Sequence, residues 1–128
     1  MLKLIFIAAG GILGALLRYG ISGLIQGYLN GSFPWGTLIV NLSGCFMIGF
    51  LWQLSEVIII SPNIRTFIFV GVIGAFTTFS TYGLETINLL RESEIKYALS
   101  NIFLSNILGL LMVFCGFITV RYLAQIFR

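Results

Sequence analysis

The sequence predicts an all-α integral membrane protein with four transmembrane helices, and two observations carry that prediction. Of its 128 residues, 59% are hydrophobic and only 9% are charged, and the mean hydropathy is +1.07. Such a chain has too little charged surface for a soluble domain of this length. Its apolar residues also fall into four runs, each long enough to cross a hydrocarbon core about 30 Å thick at about 1.5 Å per residue.

The predicted spans cover residues 3–29, 34–56, 64–90 and 95–124 of a single transmembrane domain, 1–128. The start of the first span resembles a signal peptide, but apolar character continues beyond Arg18, which favours a retained span. Pro34 suits the first turn of the second helix. The connections NGSF, IIISPN and RESE are short and typical of turns, so we expect no soluble domain between the spans.

The composition also restricts the classes of function. The chain contains no His, its four acidic residues are all Glu, and it has two Cys. Catalytic triads and most metal sites need the missing residue types, so we expect no enzyme activity. A net charge of +3 does not indicate a nucleic-acid partner. Cys45 and Cys115 each lie in an apolar run, which favours packing roles over a disulfide.

The distribution of positive charge gives only a weak signal for orientation. With four spans, both termini lie on one side of the membrane, and the basic residues of that side are Lys3, Arg65, Arg121 and Arg128. The opposite side has Arg91 and Lys96, with Arg18 pointing toward it from within the first span. So small a bias is compatible with insertion in both orientations, and hence with an antiparallel dimer. A single orientation with a modest bias is equally compatible.

Small residues in the first helix indicate a close helix contact. Gly10 and Gly14 lie four residues apart on one face, with Gly11 and Ala15 beside them. Small residues at this spacing let helix backbones approach in lipid. The pattern is compatible with packing inside one subunit and with packing between two subunits.

Polar side chains inside the spans form rows on single helix faces. The rows are Thr37 and Asn41; Asn101, Ser105 and Gly109, with Asn106 adjacent; and Thr77, Thr81 and Glu85. Such residues either form hydrogen bonds between helices or line a pathway. Arg18 is the only cation well inside a span, where it could attract an anion or pair with a lipid headgroup.

The stretch GVIGAFTTFSTYGLE, residues 71–85, predicts a helix break in the third span. Gly71 and Gly74 loosen the helix, and TTFSTY has modest helix propensity, so we expect the break between Gly74 and Thr78. Backbone carbonyls freed at membrane depth must be buried in protein or line a cavity, where they could bind a monovalent cation. The ring edges of Phe79 and Tyr82 could face an anion.

The segments GGILGALLRY, GTLIVNLSGCF and GAFTTFSTYGLE resemble the Fluc (CrcB-type) family of fluoride ion channels, and the resemblance extends over all four spans. It implies passive efflux of fluoride from the cytoplasm, which confers fluoride resistance. It also implies an antiparallel, dual-topology homodimer in the bacterial inner membrane, with two pores and a structural sodium ion (Na+) at the dimer centre.

The resemblance implies roles for individual residues. The backbone carbonyls of Gly74 and Thr77 are expected to bind the sodium ion, and Arg18 is expected near the aqueous vestibule. Tyr82 stands where the family usually has a second pore phenylalanine, so this chain departs from the commoner FSTF pattern. The fluoride path is expected to be lined by ring and polar groups: Phe79, Tyr82, Asn41, Ser80, Thr81, Ser105, Asn101 and Glu85.

Two other classes of function are compatible with a small four-span chain. A proton-coupled small multidrug transporter needs a buried titratable carboxylate, for which Glu85 is the sole candidate. A structural membrane subunit needs no transport residues, but it has no use for a helix break.

Overall fold

The protein is all-helical over the residues that the structure describes. The computed structural model describes residues 1–126, and in that range it contains helices and no strand. Four segments are long and apolar enough to cross a membrane: Leu2–Leu29, Trp35–Val57, Pro62–Arg91 and Ile95–Ile126. The prediction of an all-α fold with four helices able to span a membrane is therefore confirmed. Arg128, which the charge comparison placed on the terminal side, lies outside the described residues.

Thr77 and Thr78 in the third span are not helical, so the segments before and after them are labelled separately. We label the helices α1 (Leu2–Leu29), α2 (Trp35–Val57), α3 (residues 62–76), α4 (Phe79–Arg91) and α5 (Ile95–Ile126). Helix α3 begins as α-helix over Pro62–Thr66, widens into a π-helix over Phe67–Ile73, and ends with Gly74–Phe76. Helix α5 contains a π-helical turn, Leu104–Leu108, between Ile95–Phe103 and Gly109–Ile126.

The connection between α1 and α2 is held by one side chain. The Gln26 Nε2 atom donates to the carbonyls of Gly31 and Phe33 at 3.0 and 3.1 Å. Its Oε1 atom accepts from the Gly36 N–H at 3.2 Å. Gly31 adopts a φ of 133°, which a residue with a Cβ rarely adopts. The short turn therefore satisfies its own backbone groups and fixes the start of α2 beside the end of α1.

Helix α1 crosses α3 at close range because glycines face the contact. A Cβ added at Gly10 would lie 2.6 Å from the Phe67 carbonyl oxygen, and one added at Gly14 would overlap the Val72 carbonyl oxygen. A Cβ added at Gly11 would meet nothing within 4 Å. The Gly10 and Gly14 face thus packs inside one chain, which decides between the two alternatives that the sequence left open.

Helices α2 and α5 approach each other in the same way. A Cβ at Gly49 would overlap the Val113 carbonyl oxygen, and a Cβ at Gly116 would overlap the Phe46 carbonyl oxygen. Backbone-to-backbone contact of this kind depends on dispersion and close packing, since lipid provides no hydrophobic drive between helices. The contact fixes the position of α2 against α5, and both helices contribute polar side chains to the site described next.

Most apolar side chains face outward, as expected for a protein dissolved in lipid. The buried apolar set is small: Phe33, Leu38, Val40, Ile73, Phe76, Leu89, Ala98 and Val120. Phe79 differs from its buried neighbour Phe76, because its side chain is 79% exposed on the single chain while that of Phe76 is 5% exposed. The ring of Phe79 is therefore available to lipid, to an ion or to a second copy of the chain.

Candidate functional site

The backbone of the third span is not helical at Thr77 and Thr78, inside the range in which the sequence predicts an interruption. Thr77 has φ −82° and ψ 151°, and Thr78 has φ −145° and ψ 119°, which are extended conformations. The Thr77 N–H still donates to the Ile73 carbonyl at 3.0 Å, but the Thr78 N–H lies outside the helical ladder and needs another partner inside the membrane.

Asn41 on α2 supplies that partner for Thr78. The Asn41 Nδ2 atom donates to the Thr78 carbonyl at 3.0 Å, and the Asn41 Oδ1 atom accepts from the Thr78 N–H at 2.8 Å. A carboxamide carries one donor end and one acceptor end, so it can satisfy both backbone groups of one residue at once. The pair of bonds fixes the interruption in the third span against the second span.

Thr78 also begins the next helix with its side chain. Its Oγ1 atom accepts from the Thr81 N–H at 3.2 Å, which is the N-cap arrangement that satisfies a first-turn donor. The same Oγ1 atom donates to the Thr81 hydroxyl at 2.9 Å and lies 3.3 Å from the Ser80 hydroxyl. The hydroxyl cluster is thus organised around the start of α4.

Arg18 lies at the other side of the interruption, at the carboxyl end of α3. Its Nε atom donates to the Ala75 carbonyl at 3.1 Å, and the side chain is partly buried. The last carbonyls of a helix lack intrahelical partners and carry partial negative charge, so a cation there is favourable. Arg18 therefore stabilises a helix end inside the protein, and it lines neither of the two cavities described below.

The first cavity lies beside the interruption and has a volume of about 290 Å³. Its polar lining comes from three spans: Asn41, Thr77, Thr78, Tyr82, Ser105 and Asn106. Phe79 also lines it, and the centroids of the Phe79 and Tyr82 rings are 5.3 Å apart with the planes tilted by 47°. The ring edges here carry weak positive charge, while the hydroxyl hydrogens of Thr77, Thr78 and Ser105 are donated to protein acceptors.

The second cavity lies along α4 toward its carboxyl end, with a volume of about 430 Å³. It is lined by polar groups from α1, α2 and α4 and the α1–α2 turn: Ser22, Gln26, Ser32, Thr37, Thr81, Glu85, Asn88 and Glu92. The Thr37 hydroxyl donates to Glu85 Oε1 at 2.7 Å. The other carboxylate oxygen, Oε2, is buried and has no hydrogen-bond partner among the described residues. Among the described residues, Thr37 is thus the hydrogen-bond donor to the Glu85 carboxylate.

The structure separates a row that the sequence placed on one face. Thr77 lines the first cavity, whereas Thr81 and Glu85 line the second. The reason is the extended backbone at Thr77 and Thr78, which interrupts the helical spacing on which that row depended. Ser80 is exposed on α4 and lines neither cavity, although its hydroxyl lies near that of Thr78.

Asn101 and Ser105, predicted together, have different surroundings. Asn101 is 1% exposed, and its Nδ2 atom donates to the Thr86 hydroxyl at 2.9 Å. The Ser105 hydroxyl donates to Asn101 Oδ1 at 3.3 Å, and Ser105 lines the first cavity. Asn101 therefore lies in the contact between α4 and α5, outside both cavities, and its role in a pore stays a prediction.

Several contacts of the site were not predicted, among them the N-cap formed by Thr78, the bonds from Asn41 to the Thr78 backbone, the Thr37 bond to Glu85, and the bond from Asn106 to Tyr82. Asn106 Nδ2 donates to the Tyr82 hydroxyl at 3.2 Å. The sequence contained a signal for each of these residues, since each is polar inside a span, but not for the partner that each one meets. Cys45 and Cys115 are free thiols, and Cys45 lines the first cavity.

Comparison with known proteins gives a family match and similar curated proteins. The family model described as "CrcB-like protein, Camphor Resistance (CrcB)" matches residues 5–117. A Salinibacter ruber protein named "Fluoride-specific ion channel FluC" is 53% identical over 116 residues, which cover 91% of this chain and 87% of that protein. A protein of the same name from Parabacteroides distasonis is 47% identical over 118 residues, covering 92% of each chain. One from Desulforapulum autotrophicum is 46% identical over 120 residues, covering 93% of this chain and 96% of that protein.

Proposed function

The chain belongs to the CrcB-like family, and on that premise we propose that it is a fluoride-selective channel for passive efflux from the cytoplasm. The family consists of fluoride ion channels, so the chain is a transport protein and not an enzyme. The observation that carries the proposal is the first cavity, where aromatic rings and hydrogen-bond donors meet beside the non-helical residues of a membrane span.

The chemistry of the first cavity suits a small, strongly hydrated anion. Such an ion enters a span only if donors replace the water that it loses. The ring edges of Phe79 and Tyr82 offer positive charge to it, with no carboxylate among the residues that line the cavity. The Thr77 and Ser105 hydroxyls line the same cavity, but they donate to the Ile73 carbonyl and to Asn101 Oδ1. Asn41 acts here indirectly, because both ends of its amide are engaged by Thr78 and hold the wall of the cavity in place.

The second cavity would serve as an aqueous approach to this path. Thr81 lines it, and the exposed hydroxyl of Ser80 lies one residue away on α4. Glu85 would repel an anion, but Thr37 draws its Oε1 atom toward α2. We propose that Ser80, Thr81 and Glu85 border the route, with Arg18 on the opposite side of the interruption contributing positive potential.

We further propose that the functional unit is an antiparallel, dual-topology homodimer in the bacterial inner membrane, with two pores. The weak charge bias in the sequence supports it, with Lys3, Arg65, Arg121 and Arg128 on one side against Arg91 and Lys96 on the other. The 79% exposure of Phe79 on the single chain also supports it, because a second copy could enclose a ring that otherwise faces lipid. A single cysteine placed in one of the three connections is expected to be labelled in part by a membrane-impermeant reagent in intact cells and in full after permeabilisation. Complete labelling, or none, in intact cells would contradict this topology.

A sodium ion bound by carbonyls of Gly74 and Thr77 would be structural. Among the hydrogen bonds of residues 1–126 outside the regular helices, the carbonyls of Ile73, Ala75 and Thr78 are engaged, whereas those of Gly74 and Thr77 accept none. Unengaged carbonyl oxygens at a helix end are suitable ligands for a hard monovalent cation, which would supply fixed positive charge there. Fluoride flux that is unchanged after exhaustive replacement of sodium by N-methylglucamine would contradict this site.

Flux measurement on purified protein tests the proposed function directly. Proteoliposomes loaded with fluoride are expected to release it passively within the dead time of an electrode, and liposomes loaded with chloride are expected to retain it. Equal rates for the two anions would overturn the proposal. The small multidrug transporter rests on Glu85 alone, and the names of the relatives favour the channel. Proton release on addition of a cationic drug, lost in Glu85→Gln, would restore that alternative.

Phe79→Ile provides a second test, because it removes the ring edge and keeps an apolar side chain of similar size. We expect fluoride flux to be abolished and the oligomer to remain intact on size-exclusion chromatography. Phe114→Ile is the matched control, since Phe114 is 59% exposed on α5 and lines neither cavity. Wild-type flux in Phe79→Ile would remove this ring from the pathway.

A further inference from the structure

The hydroxyl group of Tyr82 has a defined partner on the fourth span. Asn106 Nδ2 donates to the Tyr82 hydroxyl oxygen at 3.2 Å and to the Ile102 carbonyl oxygen at 2.7 Å. Tyr82 and Asn106 both line the first cavity, beside Ser105 and Phe79. A phenylalanine at position 82 would leave Asn106 without this acceptor, so the contact is specific to the tyrosine that this chain carries.

The Ile102 carbonyl determines which end of the Asn106 amide faces Tyr82. A carbonyl oxygen only accepts hydrogen bonds, so the side-chain atom 2.7 Å from it must be the amide nitrogen. The second N–H of that nitrogen then points to the tyrosine, and the tyrosine oxygen acts as the acceptor. The phenolic hydrogen of Tyr82 is therefore not used by Asn106, and among the described residues no other group accepts it.

The π-helical turn Leu104–Leu108 lies beside the first cavity. In a regular α-helix, adjacent residues point about 100° apart, which follows from 3.6 residues per turn. Ser105 and Asn106 are adjacent, and both line the first cavity. Single-turn π segments of this kind are frequent at functional sites, where they present an additional side chain to one face.

We propose that the Tyr82 O–H donates a hydrogen bond to the permeating anion, and that Asn106 is the positioning residue that directs it. The inference rests on the proposed function, since it concerns how the same cavity recognises fluoride. An O–H donor forms a short, charge-assisted hydrogen bond to an anion, which is stronger than a contact with a ring edge. In this chain the position of the second ring thus contributes a hydroxyl donor as well as an aromatic edge.

A double-mutant cycle in proteoliposomes tests the donor and its positioning separately. Tyr82→Phe is expected to raise the fluoride concentration that gives half-maximal flux about tenfold, as for loss of a hydrogen bond to a charged group. Asn106→Leu is expected to raise it about threefold when Tyr82 is present and to have no effect in the Tyr82→Phe background. Asn63→Leu is the matched control, because Asn63 lies near the start of α3 and lines neither cavity.

A spectroscopic measurement separates the anion contact from a merely structural role. In protein labelled with ¹³C at tyrosine Cζ, the resonance absent from Tyr82→Phe is assigned to Tyr82. It is expected to shift on addition of fluoride and to stay unchanged on addition of chloride. In Asn106→Leu the fluoride-dependent shift is expected to weaken, and this readout applies even where the variant alters stability.

The outcomes distinguish the two levels of the proposal. The donor role would be overturned if Tyr82→Phe reached half-maximal flux at the wild-type fluoride concentration, or if the Tyr82 resonance did not shift on addition of fluoride. An equal effect of Asn106→Leu with and without the tyrosine hydroxyl would overturn the positioning role. If the wild-type protein itself carries no fluoride, the proposed function fails, whereas failure of the cycle in a conducting protein refutes only this inference.

Discussion

Replacing Asn41 by alanine removes both side-chain hydrogen bonds to the backbone of Thr78. The bonds to the Thr78 carbonyl and N–H are 3.0 and 2.8 Å long. Leaving a buried backbone group unsatisfied costs about 1–3 kcal/mol, and polar contacts between membrane helices lie toward the lower end of such values, at about 0.6–2 kcal/mol. For the two groups together we expect a loss of about 2–4 kcal/mol. Even the lower value would change the unfolding equilibrium constant about 30-fold.

The assay is reversible unfolding of purified protein in mixed micelles of mild detergent and dodecyl sulfate, with fluoride flux measured in parallel. The stability of Asn41→Asp is expected to lie between those of the wild type and Asn41→Ala, or below that of Asn41→Ala. Aspartate keeps the acceptor for the Thr78 N–H but places a second acceptor beside the Thr78 carbonyl. Ser43→Ala is the control on the same helix. The Ser43 hydroxyl donates only to the Val40 carbonyl one turn back, at 2.9 Å, so its loss should leave stability nearly unchanged.

Equal stability of Asn41→Ala and Ser43→Ala, within about 0.5 kcal/mol, would refute the reasoning. It would mean that the extended residues find other partners, such as water in the first cavity, at little cost. Loss of flux without loss of stability would instead assign Asn41 a direct contact with the ion, which its two bonds to Thr78 argue against.

Three further predictions concern contacts around the site, each measured as a melting temperature in detergent with fluoride flux alongside. Gly14→Ala should destabilise the protein by about 1–3 kcal/mol because its Cβ overlaps α3, whereas Gly11→Ala, which meets nothing within 4 Å, should be neutral; equal effects would contradict the α1–α3 contact. Thr37→Val should lower the free energy of unfolding by about 1.5–3 kcal/mol, because it removes the donor to the Glu85 carboxylate. Thr37→Ser should keep most of the wild-type stability. A valine variant as stable as the wild type would show that the carboxylate has other partners. Arg18→Leu should lower the free energy of unfolding by about 1 kcal/mol, because it removes the cation at the end of α3. The stability of Arg18→Lys should lie between those of the wild type and Arg18→Leu, because lysine keeps the charge but loses Nε. A lysine variant as unstable as the leucine variant would argue against a charge effect.

The presence of four helices able to span a membrane could be predicted from the sequence because each depends on a local property. A run of apolar residues either is or is not long enough to cross the bilayer, whatever its neighbours are. The non-helical residues Thr77 and Thr78 fall within residues 74–78 for a similar reason. Glycine and hydroxyl residues disfavour helix through their own backbone and side-chain chemistry, without any tertiary contact.

The pairing of polar groups could not be predicted in the same way. The sequence indicated Asn41, Thr37 and Glu85 as polar residues inside spans, but a polar side chain in lipid accepts any suitable partner within reach. Only the packed helices show that Asn41 meets the Thr78 backbone and that Thr37 meets Glu85. Asn101, with the same residue type as Asn41, lies in a helix contact because α4 and α5 enclose it.

The sequence by itself determined the class of the protein and the number of its spans, since these follow from local composition. The tertiary structure decided which groups share a cavity and which glycine face packs inside the chain. It also separated Thr77 from Thr81, because two extended residues end the helical register on which a row of side chains depends. The direction of the Tyr82 hydroxyl is a tertiary property for the same reason, since it is set by a carbonyl and an amide on a different helix.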